Sequence, residues 1–159
     1  MTKRTNYIDW DTYFLAMVKL IAMRSKDPST QVGAVIVNDL FQVVSTGYNG
    51  FPRGISDDEF PWTREGDWTQ TKYPYVVHAE LNAILSSNTN VRDCTMYTSL
   101  FPCNECSKSI IQSGIKKIVY SCDKYSDTAE FQVSKKMLTT AGVQLELKPA
   151  VEVVLKFNK

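Results

Sequence analysis

Two short stretches of this chain hold residues whose types and spacing could do chemistry: His78-Ala79-Glu80 and Pro102-Cys103-Asn104-Glu105-Cys106. Each is a weak signal alone. A lone histidine is more often structural, and a C-x-x-C pair serves equally as a redox couple or as half of a structural zinc site. Together they supply one imidazole and two thiolates, a donor set that zinc takes readily. His78 is the one histidine of the chain, and of its four cysteines only Cys94 and Cys122 remain to complete a closed shell. Both fall within or at the end of an expected strand. Structural zinc sites almost always have four protein ligands, whereas catalytic ones keep a position for water. The pattern therefore points to a catalytic zinc bound by His78, Cys103 and Cys106, one ion per chain.

Glu80 lies two residues after His78. At that offset on a helix it does not closely share the ligand's face, so it can reach past the metal toward bound water. Away from a metal it would read as a solvated glutamate stabilising a helix start. Water on a zinc of this kind has a pKa near 7 instead of about 15.7, and it can attack an amidine-like carbon. Glu80 would take the proton from that water and return protons to the ring nitrogen and the departing amine. The reaction expected is hydrolytic deamination, with release of ammonia. Cys103 and Cys106 open a predicted helix, where backbone N–H groups and the helix dipole favour thiolate.

The elements that must position these residues follow from periodicity. Asp9 to Arg24 reads as a helix with Trp10, Phe14, Met17 and Ile21 on one stripe and Asp9 or Asp11 as its cap. Gln31–Val37 and Gln42–Gly47 are β-branched runs that read as a hairpin of two buried strands. His78–Ser86, Cys103–Ser113 and Asp127–Ala141 read as helices, the last two stopped by Gly114 and Gly142. Cys94–Ser99, Ile115–Ser121 and Val143–Leu147 read as strands. The order α-β-β-α-β-α-β-α-β predicts an α/β fold, a mixed five-stranded sheet in a three-layer αβα sandwich. Residues 49–75 hold Pro52, Pro61 and Pro74 with Gly50, Gly54 and Gly66, and form a connection longer than compact domains ordinarily use, often a functional one. The segment 150–159 is apolar from Val151 to Phe157 and undecided between helix and strand.

Length and charge bound the rest. A chain of 159 residues with 43% hydrophobic residues is read as a single domain, 1–159, with a real core. Its 18 basic and 17 acidic residues leave a formal charge of +1, which argues against a protein built to coat nucleic acid. No targeting segment or membrane span is visible, because the apolar run from Tyr13 to Met23 is short and contains Lys19. A cytoplasmic protein with reduced thiols is expected.

At the level of longer motifs the chain resembles the deoxycytidylate (dCMP) deaminase family. The resemblance rests on Lys72-Tyr-Pro-Tyr-Val-Val-His78-Ala-Glu80 and Leu100-Phe-Pro-Cys103-Asn-Glu-Cys106. It rests also on Ser25-Lys-Asp-Pro28, Gln31-Val-Gly33-Ala34, Gly47-Tyr-Asn-Gly50-Phe-Pro, Ser56-Asp-Asp58 and Asp123-Lys-Tyr125. It spans about Trp10 to Leu147, and the His-Ala-Glu and C-x-x-C pair alone is shared across the wider zinc deaminase superfamily. The resemblance implies a cytidine deaminase-like fold, conversion of dCMP to dUMP for pyrimidine nucleotide biosynthesis, and zinc on His78, Cys103 and Cys106 with Glu80 as proton shuttle. It implies substrate contacts from Asn49, Ala79, Ser25, Lys26, Ser99, Tyr120 and Lys124, with Arg24, Lys26 and Lys124 as charges for the 5′-phosphate, aided by hydroxyls of Tyr120, Ser121 or Tyr125. Asn49, as the start of an Asn-Gly pair, would otherwise read as a turn residue. The resemblance further implies a homo-oligomer, a hexamer favoured, activated by dCTP with Mg²⁺ and inhibited by dTTP. The effector would meet the loop Gly47, Tyr48, Gly50, Phe51, Arg53 and Gly54. Some members carry an additional structural zinc on His and Cys residues of the long loop, and this loop has neither. Deaminases of free cytidine, guanine or a tRNA adenosine share the core motifs and stand as alternatives, as does a zinc-stabilised binding module that uses the same cysteines without catalysis.

Overall fold

The computed structural model describes residues 1–157. Asn158 and Lys159, the end of the C-terminal segment 150–159, lie outside the described residues. Helix α1 runs from Trp10 to Ala22 and is capped by Asp9, whose carboxylate accepts from the Thr12 N–H at 2.7 Å. Asp11 turns instead to the sheet, accepting from the Tyr97 hydroxyl at 2.7 Å and pairing with Lys148 at 2.9 Å. The buried face of α1 is Phe14, Leu15, Val18 and Ala22, one step round from the expected stripe. Trp10 is half exposed and stacks on Phe41. The cause lies in strand β1 (Gly33–Val37), whose backbone presses on α1 at Gly33. A Cβ there would sit 2.2 Å from the Val18 carbonyl oxygen.

Strand β2 (Val43–Tyr48) pairs antiparallel with β1 from Gly33↔Tyr48 onward. The hairpin forms as expected, but only β1 is buried throughout. In β2 only Ser45 and Gly47 are buried, because it is an edge strand. Helix α2 (Ala79–Leu85), β3 (Thr95–Thr98), α3 (Asn104–Ser113), β4 (Lys117–Tyr120), α4 (Ala129–Thr140) and β5 (Gln144–Leu147) follow. The strands lie in the order β2-β1-β3-β4-β5, with β3, β4 and β5 parallel and β1 antiparallel to β3. This is the mixed five-stranded sheet, reached by the expected succession of elements.

Alternation along the strands separates two cores. Val35, Val37, Tyr97 and Val119 face Phe14, Leu15 and Val18 of α1. Ala34, Ile36, Met96 and Ile118 face the other way, onto Ala79 and Ala83 of α2, Ile110 of α3 and Leu138 of α4. One helix thus covers one face and three cover the other, giving the αβα layers. In the C-terminal segment, Val151 packs beside the α1 core, and residues 150–157 form neither helix nor strand.

The long connection is organised without regular elements beyond one 3₁₀ turn, Trp68–Gln70. Its ends are clipped together where Gly50 and Val77 exchange backbone hydrogen bonds of 3.1 and 2.8 Å. Inside, Phe51 packs on Trp62 at 4.2 Å and Phe60 on Tyr75 at 4.7 Å. A loop with close ends and its own packed side chains holds a shape that its composition alone does not announce.

Candidate active site

Both candidate metal-binding motifs sit at helix starts. His78 is the cap residue of α2, with extended backbone (φ −72°, ψ 156°) and no side-chain capping bond, so its ring is left available. Cys103 caps α3, its Sγ accepting from the Cys106 N–H at 3.5 Å. The sheet brings the two helix starts together. His78 Nδ1 lies 3.3 Å from Cys103 Sγ and 3.4 Å from Cys106 Sγ, and all three donor atoms fall within 4.8 Å of one another. Tetrahedral zinc with Zn–S of about 2.3 Å and Zn–N of about 2.0 Å places its S and N donors roughly 3.5 Å apart. The donor set fits zinc in chemistry and in spacing.

The proton inventory agrees. The Cys103 thiol is pulled down to about 4, first by the hydrogen bond it accepts from the Cys106 thiol and then by His78. Cys106 is pushed up by that same bond and by burial. The His78 imidazole is raised, chiefly by its contact with Cys103. The three groups hold protons among themselves that a divalent cation would displace.

Glu80 lies in the first turn of α2 and is 4% exposed. Burial pushes its carboxyl above the usual range, against the pull of His78. The Thr98 hydroxyl, at the end of β3, donates to its Oε1 at 3.3 Å, and its Oε2 faces Cys106 Sγ at 3.5 Å. A carboxyl poised to exchange a proton is thus fixed beside the metal-binding set. Gly47 of β2 sets how closely α2 approaches the sheet. A Cβ there would lie 2.2 Å from the Ala79 carbonyl oxygen and 2.4 Å from the Ala83 nitrogen.

The site opens into a cavity of about 330 Å³, within the size range of small-molecule pockets. One wall is a buried polar network. Asn49 accepts from the Val32 N–H at 2.8 Å and donates its amide protons to the Thr30 carbonyl at 2.9 Å and to Asp27 Oδ2 at 3.3 Å. Asp27 in turn takes Lys72 Nζ at 2.5 Å, and both are almost wholly buried. The network fixes which way the Asn49 amide faces.

A family model described as "Cytidine and deoxycytidylate deaminase zinc-binding region" matches residues 8–122. The chain belongs to this deaminase family. Curated relatives include the deoxycytidylate deaminases of Homo sapiens and Mus musculus. Each is 52% identical over 143 residues, covering 89% of this chain and 80% of the relative. Among solved structures, the dCMP deaminase of cyanophage S-TIM5 in complex with dCMP and dUMP superposes with a TM-score of 0.70 at 26% identity. The match covers 86% of this chain and 94% of that one. Zinc is accordingly the metal of this deaminase site. Among the described residues no helix is long and apolar enough to cross a membrane.

The residues singled out in the sequence do not all meet in the deaminase cavity. His78, Ala79, Glu80, Cys103, Asn49 and Tyr125 line it. Ser25, Lys26, Ser99, Tyr120 and Lys124 are not among the lining residues. Ser25 donates to the Asn49 carbonyl at 2.8 Å, Ser99 accepts from the Gly33 N–H at 3.2 Å, and Tyr120 packs on Phe101 at 4.9 Å. Lys26 is ion-paired with Asp57. Lys124 Nζ stands 4.9 Å over the Tyr125 ring. In the loop expected to meet effectors, Gly47 is occupied by its contact with α2, Phe51 packs against Trp62 in a tilted pair, and Arg53 donates to the Ser86 hydroxyl at 3.3 Å. The residues missed are Asp27, Arg64, Lys72 and Tyr73, all lining the cavity. Asp27, Lys72 and Tyr73 lie within the family-like motifs, but nothing in the spacing of Asp27 and Lys72 shows that they meet across 45 positions.

Proposed function

We propose that this chain hydrolyses dCMP to dUMP and ammonia with zinc on His78, Cys103 and Cys106 and Glu80 as the proton carrier. The observation that carries the reading is the buried Glu80 carboxyl fixed 3.5 Å from Cys106 Sγ at the end of a nucleotide-sized cavity. The 52% identity to deoxycytidylate deaminases over most of both chains supports dCMP as substrate.

When bound, zinc supplies the acidity that makes water a nucleophile near neutral pH. Glu80 does the proton work. Its raised affinity for a proton makes the carboxylate a stronger base than an ordinary glutamate, so it can accept the proton that water gives up. Thr98 holds Oε1, leaving Oε2 to carry the proton to the ring nitrogen and then to the leaving amine. A C–O bond forms, a C–N bond breaks, and no electron is transferred to or from the protein. Asn49, its amide direction set by Val32 and Asp27, keeps a free lone pair on Oδ1 for substrate.

Three finer readings belong to the proposal. Zinc-binding thiols need a reducing compartment, which supports a cytosolic protein. The chain acts as a homo-oligomer, a hexamer favoured. dCTP with Mg²⁺ activates and dTTP inhibits through the exposed part of the loop around Tyr48, Gly50, Arg53 and Gly54. The decisive experiment assays zinc-loaded protein on dCMP, deoxycytidine, CMP, guanine and an RNA stem-loop, with a dCTP titration on dCMP. Preference for any other substrate over dCMP defeats the substrate reading. A dCMP saturation curve unmoved by dCTP defeats the regulatory one. Zinc-free activity after metal-replete preparation and chelation defeats the site.

A further inference from the structure

A dCMP deaminase must meet a phosphate that carries up to two negative charges, and the cavity has few groups to do so. Apart from His78, the cationic side chains lining it are Arg64 and Lys72. Lys72 is 7% exposed and faces Asp27 at 2.5 Å, so its charge is already matched inside the wall. Arg64 is different. It is solvent-exposed, it sits in the long loop, and among the described residues no carboxylate pairs with it. Its Nε donates to the Tyr73 hydroxyl at 3.0 Å, and Tyr73 lines the same cavity. That bond aims the guanidinium while its terminal N–H groups stay uncommitted.

The expected phosphate ligands are placed elsewhere. Lys26 is held by Asp57, Lys124 lies over the Tyr125 ring, and neither these nor Arg24 lines the cavity. The start of α4 is a poor substitute, because Glu130 adds a carboxylate to the lining there. We propose that Arg64, aimed by Tyr73, is the residue that reads the 5′-phosphate and makes the enzyme choose a nucleotide over a nucleoside. A planar guanidinium matches two phosphate oxygens at once, which a lysine cannot do. An exposed rim position suits a dianion that keeps much of its hydration, while the neutral ring goes deeper to the zinc end. Tyr73 is a positioning residue here; it acts through Arg64.

The inference rests on the dCMP reading, and one experiment separates the two. The ratio of kcat/KM for dCMP to that for deoxycytidine is measured in zinc-loaded wild type, Arg64→Gln, Arg64→Lys and Tyr73→Phe. Arg64→Gln is expected to lower the ratio roughly 10- to 100-fold, the range for losing a charge-assisted hydrogen bond. The loss should appear in KM for dCMP. Arg64→Lys should fall between wild type and Arg64→Gln, and Tyr73→Phe should lower the ratio only several-fold. Inorganic phosphate should compete with dCMP in wild type and lose that effect in Arg64→Gln. A wild-type ratio near one overturns the dCMP reading and this inference together. A high wild-type ratio that Arg64→Gln leaves intact overturns the inference alone. Arg64 is exposed, so a folded variant is expected, and zinc content with thermal midpoint checks it.

Discussion

Two parts of the cavity lining are built from different material. At the zinc site every chemical group stands on or beside a regular element: His78 and Cys103 cap helices, Cys106 and Glu80 lie in first turns, and Thr98 ends a strand. Elsewhere in the lining Asn49, Arg64, Lys72 and Tyr73 stand in the loop between β2 and α2, held by side-chain contacts that no regular element supplies. The first part gains its precision from helices and strands packed on a common sheet. The second gains it from a few hydrogen bonds and one buried ion pair. On the proposed reading, chemistry is set by the fold and the choice of substrate by the loop.

The largest effect should come at the zinc site. Glu80→Gln keeps the shape and the Thr98 contact but removes the proposed proton carrier, and should cut kcat about 10²- to 10⁴-fold. Zinc content should stay at wild-type level. Glu80 binds its proton more tightly in the folded chain than an exposed glutamate does. Its buried charge therefore costs stability once pH rises above the ordinary carboxylate range, and that cost persists at neutral pH. The variant's thermal midpoint at pH 7 should be no lower than wild type. A lower midpoint with lost zinc would assign Glu80 to structure and erase the distinction between the two parts.

Lys72→Met should have the next effect, and on stability. Removing one partner of a buried pair strands the other, at a cost of about 3–5 kcal/mol. The double variant Asp27→Asn with Lys72→Met should recover part of that loss in denaturant unfolding, since no lone charge remains. Full additivity of the two changes would show that the pair does not act as a unit. A pH profile gives a smaller, graded effect. The reaction starts from carboxylate, so kcat/KM should fall as pH drops through the Glu80 value, and that acid limb should lie above the usual glutamate range. The smallest effect belongs to Lys26→Gln, which breaks a pair open to solvent. Its thermal midpoint and dCMP kinetics should match wild type, and a marked KM rise would return Lys26 to the phosphate.

The same contrast explains which features the order of residues alone makes legible. Helix starts leave local marks: a turn residue, an apolar period, a glycine stop. His78, Glu80, Cys103 and Cys106 lie within such marks, so their places at helix starts followed from short-range pattern, whereas the meeting of the two starts is the work of the sheet. The succession of elements followed from such pattern too. The rotation of α1 by one residue did not, because it depends on how closely the β1 backbone comes at Gly33. Nor did the exposure of β2, since a β-branched run looks alike at the edge and the centre of a sheet. The loop network was hidden for a stronger reason. Asp27 and Lys72 are separated by 45 positions, and Arg64 and Tyr73 are joined by a side-chain bond that no periodicity encodes. Charges near the motifs drew attention to Lys26 and Lys124, which the folded chain spends on Asp57 and on an aromatic ring.

The bridge between Gly50 and Val77 ties the long loop shut just ahead of His78. A loop closed at its neck works as a cassette. Exchanges in its exposed stretch, 63 to 70, should leave in place the neck, the Lys72 pair with Asp27 and the helix behind them. Laboratory selection for a new nucleotide would then collect its changes there. It would leave untouched His78, Glu80, Cys103 and Cys106, the residues proposed to carry the reaction.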